Sequence, residues 1–173
     1  MLIKKELSIL VFIDVQERLM PFIYQGNGVV SQCQRIAKIS RLLDIPVIGV
    51  EQMPEHLGPT ISTLSTHYHK VIRKQYFNAC LDGLIGELQG DGQQVVLAGC
   101  EAHICIMQTA IGLIEAGFSV IVIIDAVGSR RALDKTASLD RMKQLGIVLV
   151  TVEMLAFEWI TSAKDPQFKM ALN

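Results

Sequence analysis

Two residues far apart in the chain carry the groups that nucleophilic catalysis needs, a thiol at Cys105 and a carboxylate at Asp14. The apolar run 95–98 ends at Gly99, and after a short turn Cys105 opens the helical pattern 104–116. At such a strand-to-helix junction, unpaired backbone N–H groups and the positive end of the helix dipole both favour thiolate over thiol. Asp14 closes the first apolar run, residues 7–14. An ordinary thiol, with a pKa of about 8.5, is mostly protonated at pH 7, so its attack on a carbonyl carbon calls for a base nearby. Each residue also has a plainer role. Asp14 could cap a turn, and Cys105 could be a small core hydrophobe.

Whether the two meet depends on the elements that carry them. Residues 7–14, 47–50, 95–98, 120–124 and 147–151 are nearly unbroken apolar runs suited to strands covered on both faces, with Val71-Ile72 a weaker sixth. Between them, Ile36, Ile39, Leu42 and Leu43 recur at helical spacing. So do Leu81, Leu84, Ile85 and Leu88, then Ile106, Ala110, Leu113 and Ile114, then Leu139, Met142 and Leu145. Gly117 and Gly146 follow two of these helices, where a left-handed residue is wanted. The alternation predicts an α/β fold, a three-layer Rossmann-like domain over 1–173 with a six-stranded, mainly parallel sheet and helices on both faces. With strand order 3-2-1-4-5-6, ligands bind beyond the carboxyl ends of strands one and four, which places Asp14 and Cys105 across one crevice. Residues 51–70, with Pro54, Gly58 and Pro59, form the longest irregular piece and are expected at the site.

Composition excludes several function classes. At 173 residues the chain suits one domain, able to bury roughly 70% of its unfolded surface. Half the residues are hydrophobic and 19% are charged, so apolar material must lie in a thick core or between subunits. The net charge of -1 offers no field for nucleic acid or an anionic membrane, which leaves a small-molecule substrate. No run approaches the roughly 20 apolar residues of a membrane span, and Met1-Leu2-Ile3-Lys4-Lys5-Glu6 is not built like a signal peptide, so a cytoplasmic location is expected. Cys33, Cys80, Cys100 and Cys105 are not spaced like a disulfide framework or a zinc site. Cys33 and Cys80 fall in helical patterns as core residues. The first strand runs into Asp14-Val15-Gln16-Glu17 rather than a glycine-rich turn, which removes the pyrophosphate cradle of a dinucleotide-binding oxidoreductase. The tail 152–160, with Met154, Leu155, Phe157 and Trp159, is apolar enough to serve a homo-oligomer or to close the core beside strand six.

Several motifs together resemble the isochorismatase-like cysteine hydrolases over almost the whole chain. They are Phe12-Ile13-Asp14-Val15-Gln16-Glu17, Lys74 with Gln75-Tyr76-Phe77, Gly99-Cys100-Glu101-Ala102-His103-Ile104-Cys105, and Ile124-Asp125-Ala126 with Ser129-Arg130. Val50-Glu51-Gln52-Met53-Pro54 is more similar to the isochorismatase domain-containing branch than to nicotinamidases. The resemblance implies a triad of Asp14, Lys74 and Cys105, with Asp14 as general base and acid, Lys74 stabilising the thiolate, and a thioester formed on Cys105. It further implies backbone N–H groups of Glu101 and Cys105 as oxyanion donors, a cis peptide joining Cys100 to Glu101, and assembly into dimers or larger rings. Gln16 and Phe77 are candidate substrate contacts, although Gln16 could instead bridge backbone groups.

No cofactor is implied. Nicotinamidases of this superfamily hold a metal through an Asp-x-His pair and further histidines, but here those positions read Glu51-Gln52-Met53 and Pro59, so no metal is expected. His67 and His69 form a surface pair short of the ligands a zinc site wants. His56 and His103 could lend polarity to the pocket, and His103 could equally face solvent or a neighbouring subunit. True isochorismatases use no cysteine at this position, so Cys105 favours cleavage of a small amide or related carbonyl compound. The alternative is a catalytically silent fold kept for binding or scaffolding.

Overall fold

The computed structural model describes residues 2–88 and 92–172; the remainder of the expected 1–173 domain lies outside the described residues. β1 (Ser8–Ile13) is buried at every position, as its unbroken apolar sequence requires of a strand covered on both faces. The chain continues through α1 (Gly26–Leu42), β2 (Val47–Gln52), two short helices α2 (Pro54–Leu57) and α3 (Ser62–Ser65), and β3 (Lys70–Lys74). After β4 (Gln94–Cys100) come α4 (Met107–Glu115), β5 (Ser119–Gly128), α5 (Ala132–Gln144), β6 (Val148–Val150), α6 (Val152–Ile160) and α7 (Phe168–Leu172).

The six strands lie in the order β3-β2-β1-β4-β5-β6, as expected, and every neighbouring pair is parallel. One core layer packs α1 and α6 on the sheet through Phe12, Cys33, Ile36, Leu155 and Trp159. The opposite layer packs α4 and α5 through Val11, Leu97, Leu113 and Met142. Ile13 is in register with Val50 on one side and Gly99 on the other, so the carboxyl end of β1 lies between β2 and β4, which run one or two residues further.

Four local expectations need correction. Residues 81–88 do not form one helix but two 3₁₀ turns, Ala79–Asp82 and Leu84–Glu87. Gly83, at φ +98°, separates them, because a positive φ ends a right-handed helix; Leu81 points outward and Cys80 is only half-buried. The helical pattern after β4 begins with a π-helical turn, Ala102–Ile106, and becomes regular only at Met107. Residues 51–70 are less irregular than their prolines suggest, since β2 runs on to Gln52 and α2 and α3 fill much of the rest. In α6, Leu155 and Trp159 are buried core residues, with Trp159 Nε1 donating to Ser8 Oγ at 2.9 Å, while Met154 and Phe157 face outward. No helix among the described residues is long and apolar enough to cross a membrane.

Candidate active site

Asp14, Lys74 and Cys105 converge beyond the carboxyl ends of the central strands. Asp14 follows β1 directly in a left-handed conformation, φ +52°, with its N–H donating to Val50 O at 2.9 Å. Lys74 is the last residue of β3, in register with Gln52 of β2. Its Nζ reaches past β2 to lie 2.9 Å from Asp14 Oδ2 and 3.4 Å from Cys105 Sγ. A third partner, Gln52 Oε1, accepts a hydrogen bond from the same ammonium, and Gln52 Nε2 is itself anchored on Gln75 O at 2.9 Å. An ammonium has three protons to donate, and three neighbours stand ready to take them.

All three side chains are withdrawn from water: Asp14 is 1% exposed, Lys74 3% and Cys105 6%. Burial raises the Asp14 pKa above its ordinary value, with the Lys74 charge pulling the other way. Burial, followed by the Asp14 charge, pushes the Cys105 thiol up to about 12, against the opposing pull of Lys74. Burial and the Asp14 charge thus oppose the thiolate that the helix dipole and Lys74 favour. Among the described residues, Asp14 Oδ1 is buried with no hydrogen-bond partner.

The turn that presents Cys105 is shaped by a glycine. Gly99 has φ +114°, and a Cβ there would stand 2.0 Å from Ile13 O, so only glycine lets β4 pass β1 this closely beside Asp14. A register shift between β4 and β5 falls at the same place, between Leu97 and Gly99. The peptide joining Cys100 to Glu101 is cis. Glu101 O then accepts from Ile104 N at 3.0 Å and Ile106 N at 3.2 Å, which ties the two ends of the turn. The Glu101 carboxylate is gripped by Arg130, whose Nη2 lies 2.9 Å from Oε1, and this partner draws the Glu101 pKa below the ordinary carboxylate value against the effect of burial.

The other candidate residues are placed as follows. Gln16 is fully buried, and its amide bridges backbone: Nε2 donates to Gln52 O at 3.0 Å and Gly58 O at 2.7 Å, and Oε1 accepts from Gln52 N at 2.8 Å. Of its two possible roles it performs the bridge, fixing the strand end that carries Gln52. Phe77 is exposed beside Tyr76, three residues beyond Lys74. His103 Nδ1 lies 3.0 Å from Ser129 Oγ, and His56 is at the surface 3.9 Å from Glu55. His69 Nδ1 accepts from Val47 N at 3.0 Å at the opposite end of the sheet, beside His67. Glu51, in the segment that carries the metal ligands of nicotinamidases, is occupied with Thr60 N and Oγ1, each at 2.8 Å. Among the described residues, no group of three or more His, Cys, Asp or Glu is arranged to hold a metal ion.

Two contributors escaped the sequence reading. Gln52 looked like one residue of a loop, and only its register with Lys74 reveals it as the lysine's anchor. Glu101 was singled out for its backbone, whereas its side chain makes the tie to β5. A recess of about 220 Å³ is lined by Met53, Glu55, Arg73, Lys74, Gln75 and Asp82; the Lys74 side chain is fully buried behind it, and neither Asp14 nor Cys105 reaches its lining.

The sequence pattern of the isochorismatase domain matches residues 8–154. Isochorismatase domain-containing protein 2 of Danio rerio is 39% identical over 164 residues, covering 94% of this chain and 83% of that protein. Among solved structures, the MAR1 ribonuclease of Caenorhabditis elegans superposes with a TM-score of 0.90 at 30% identity, covering 99% of this chain and 91% of that one. The YcaC gene product of Escherichia coli, described as an octameric hydrolase of unknown specificity, superposes with a TM-score of 0.91 at 21% identity, covering 99% and 87%. At that identity the likeness is one of fold.

Proposed function

The chain belongs to the isochorismatase family, and from that premise we propose that it is a cysteine-dependent hydrolase cleaving a small amide or related carbonyl compound through a thioester on Cys105. The observation that carries the reading is the position of Lys74 Nζ, 2.9 Å from Asp14 Oδ2 and 3.4 Å from Cys105 Sγ, in a site almost closed to water. Three chemically matched groups from distant parts of the chain share one cluster.

The chemistry follows from their protonation. Asp14 takes the thiol proton as sulfur attacks the carbonyl carbon, so thiolate exists only as it is consumed. Lys74 holds Asp14 in place and offsets the negative charge of the sulfur in transit. The carbonyl oxygen, now negative, takes hydrogen bonds from the Glu101 and Cys105 N–H groups. The C–N bond breaks and the amine leaves with the proton held by Asp14. Asp14 then deprotonates water, which adds to the thioester; the acid leaves and the proton returns to sulfur. No step calls for a cofactor. The recess lined by Met53, Arg73, Gln75 and Asp82 is the entry we assign to substrate, with the exposed Tyr76 and Phe77 following it in sequence.

The competing reading, a fold kept for binding, draws on the slight exposure of Cys105 and its raised pKa. An RNA substrate is disfavoured, because a net charge of -1 supplies no cationic track for phosphates. We also propose a homo-oligomer, supported by the exposure of Phe22, Tyr24, Tyr76 and Phe77, and a reducing, cytoplasmic setting, which suits four free thiols. The deciding experiment incubates the protein with a panel of small amides, follows ammonia release, and examines the intact mass for an acyl adduct. An adduct on Cys105 that is absent from Cys105→Ala supports the hydrolase. Turnover that survives Cys105→Ala would overturn the cysteine mechanism, and none with any compound in the panel favours the binding reading.

A further inference from the structure

We infer that Arg130 is a positioning residue: from two residues past β5 it holds the Glu101 carboxylate and, through Glu101, the turn that carries the oxyanion donors and Cys105. The inference rests on the hydrolase reading above. Glu101 is only 4% exposed, and a carboxylate so placed must be paired or neutralised. Arg130 meets it three ways, through its backbone N–H at 2.9 Å, Nε at 3.1 Å and Nη2 at 2.9 Å. The planar guanidinium reaches both carboxylate oxygens, a geometry that fixes orientation as well as distance.

Glu101 is held at its other end too. Its carbonyl takes the N–H groups of Ile104 and Ile106, at the beginning of the turn that presents Cys105. With side chain and carbonyl both anchored, the direction of the Glu101 N–H is set by the anchors. A second tie runs in parallel, His103 Nδ1 to Ser129 Oγ at 3.0 Å, so neighbouring residues of the turn are laced to neighbouring residues of β5's end. The Arg130 side chain is itself more than half exposed, and a surface pair of that kind contributes little on its own. Its effect comes through the buried partner. None of its hydrogen bonds goes to Asp14, Lys74 or Cys105. Loosening the strap should therefore weaken the step in which charge builds on the carbonyl oxygen and spare the reactivity of the sulfur.

Two reactions of the same thiol separate these effects. Iodoacetamide alkylates sulfur with loss of iodide and forms no oxyanion. p-Nitrophenyl acetate acylates it through a tetrahedral oxyanion and releases p-nitrophenolate. For Arg130→Gln we expect acylation to slow about tenfold while alkylation stays within about twofold. Arg130→Lys, which keeps the charge and loses the fork, should fall between Arg130→Gln and the wild type. Equal losses in both reactions, undiminished acylation in Arg130→Gln, or full acylation by Arg130→Lys would overturn the strap while leaving the hydrolase standing. A wild-type protein whose Cys105 is neither acylated nor alkylated is a different failure: it removes the hydrolase reading, and this inference with it.

Discussion

Replacing Lys74 with methionine tests how tightly the buried charges depend on one another. The substitution keeps most of the side-chain volume and removes the cation beside Asp14 Oδ2. Breaking a buried ion pair from one side costs about 3–5 kcal/mol, because the other charge is left without a partner. Asp14 is poorly placed to absorb that loss, since its Oδ1 has no hydrogen bond and burial already raises its pKa while Lys74 opposes the rise. Without Lys74 the raising effect is opposed only by weaker hydrogen bonds, and folded Asp14 takes up a proton over a wider range of pH. The sign follows from linkage: where the folded state holds a proton that the unfolded state has lost, stability falls as pH rises, by about 1.4 kcal/mol per pH unit. Lys74→Met should thus be destabilised more at pH 8 than at pH 5 relative to the wild type, measured by urea unfolding. The Asp14→Asn/Lys74→Met double variant should lose this pH dependence. A Lys74→Met penalty below about 1 kcal/mol, or one equal at both pH values, would refute the coupling.

Gly99→Ala should cost at least about 2 kcal/mol in urea unfolding, because its Cβ cannot coexist with Ile13 O 2.0 Å away at φ +114°; a neutral substitution would show that β4 and β1 can part. The Glu101 carboxylate, with its pKa drawn down in the folded state, contributes stability that is present above about pH 4.5 and lost as pH falls through the lowered value. Glu101→Gln should therefore lie below the wild type in urea midpoint at pH 7, with the gap closing below pH 4.5, and a gap that widens in acid would contradict the pairing. Trp159→Phe removes the bond to Ser8 Oγ and leaves a void in the core, for a loss of about 1–3 kcal/mol read as a lower Tm.

The sheet order and the meeting of Asp14 with Cys105 were legible because strands buried on both faces read as unbroken apolar runs, and the order 3-2-1-4-5-6 brings the ends of β1 and β4 together. Lys74 was harder. β3 is an edge strand with only Ile72 and Lys74 buried, so its apolar signal is short and the lysine looks like surface charge without the family motif. The leucines of 81–88 mimic a helix because spacing carries no information about φ, and Gly83 decides the matter through its left-handed backbone. The upward shift of the Cys105 pKa comes from burial by distant segments and from the Asp14 charge, neither of which local helix geometry reveals. The Glu101–Arg130 and Gln52–Lys74 ties link residues brought together by tertiary structure, beyond the reach of local pattern.

The central claim is that Asp14 takes the proton of a sulfur that rests as a thiol. It is tested most directly by the pH dependence of Cys105 alkylation by iodoacetamide, read site by site in the mass spectrum, in the wild type and in Asp14→Asn. With Asp14 as base, the wild-type rate should rise as Asp14 ionises, above its ordinary value, and then stay flat through neutral pH. The Asp14→Asn rate should lack that plateau and keep climbing into alkaline solution as the thiol itself ionises. Two profiles of the same shape, or a wild-type rise centred on an ordinary thiol pKa, would contradict the account.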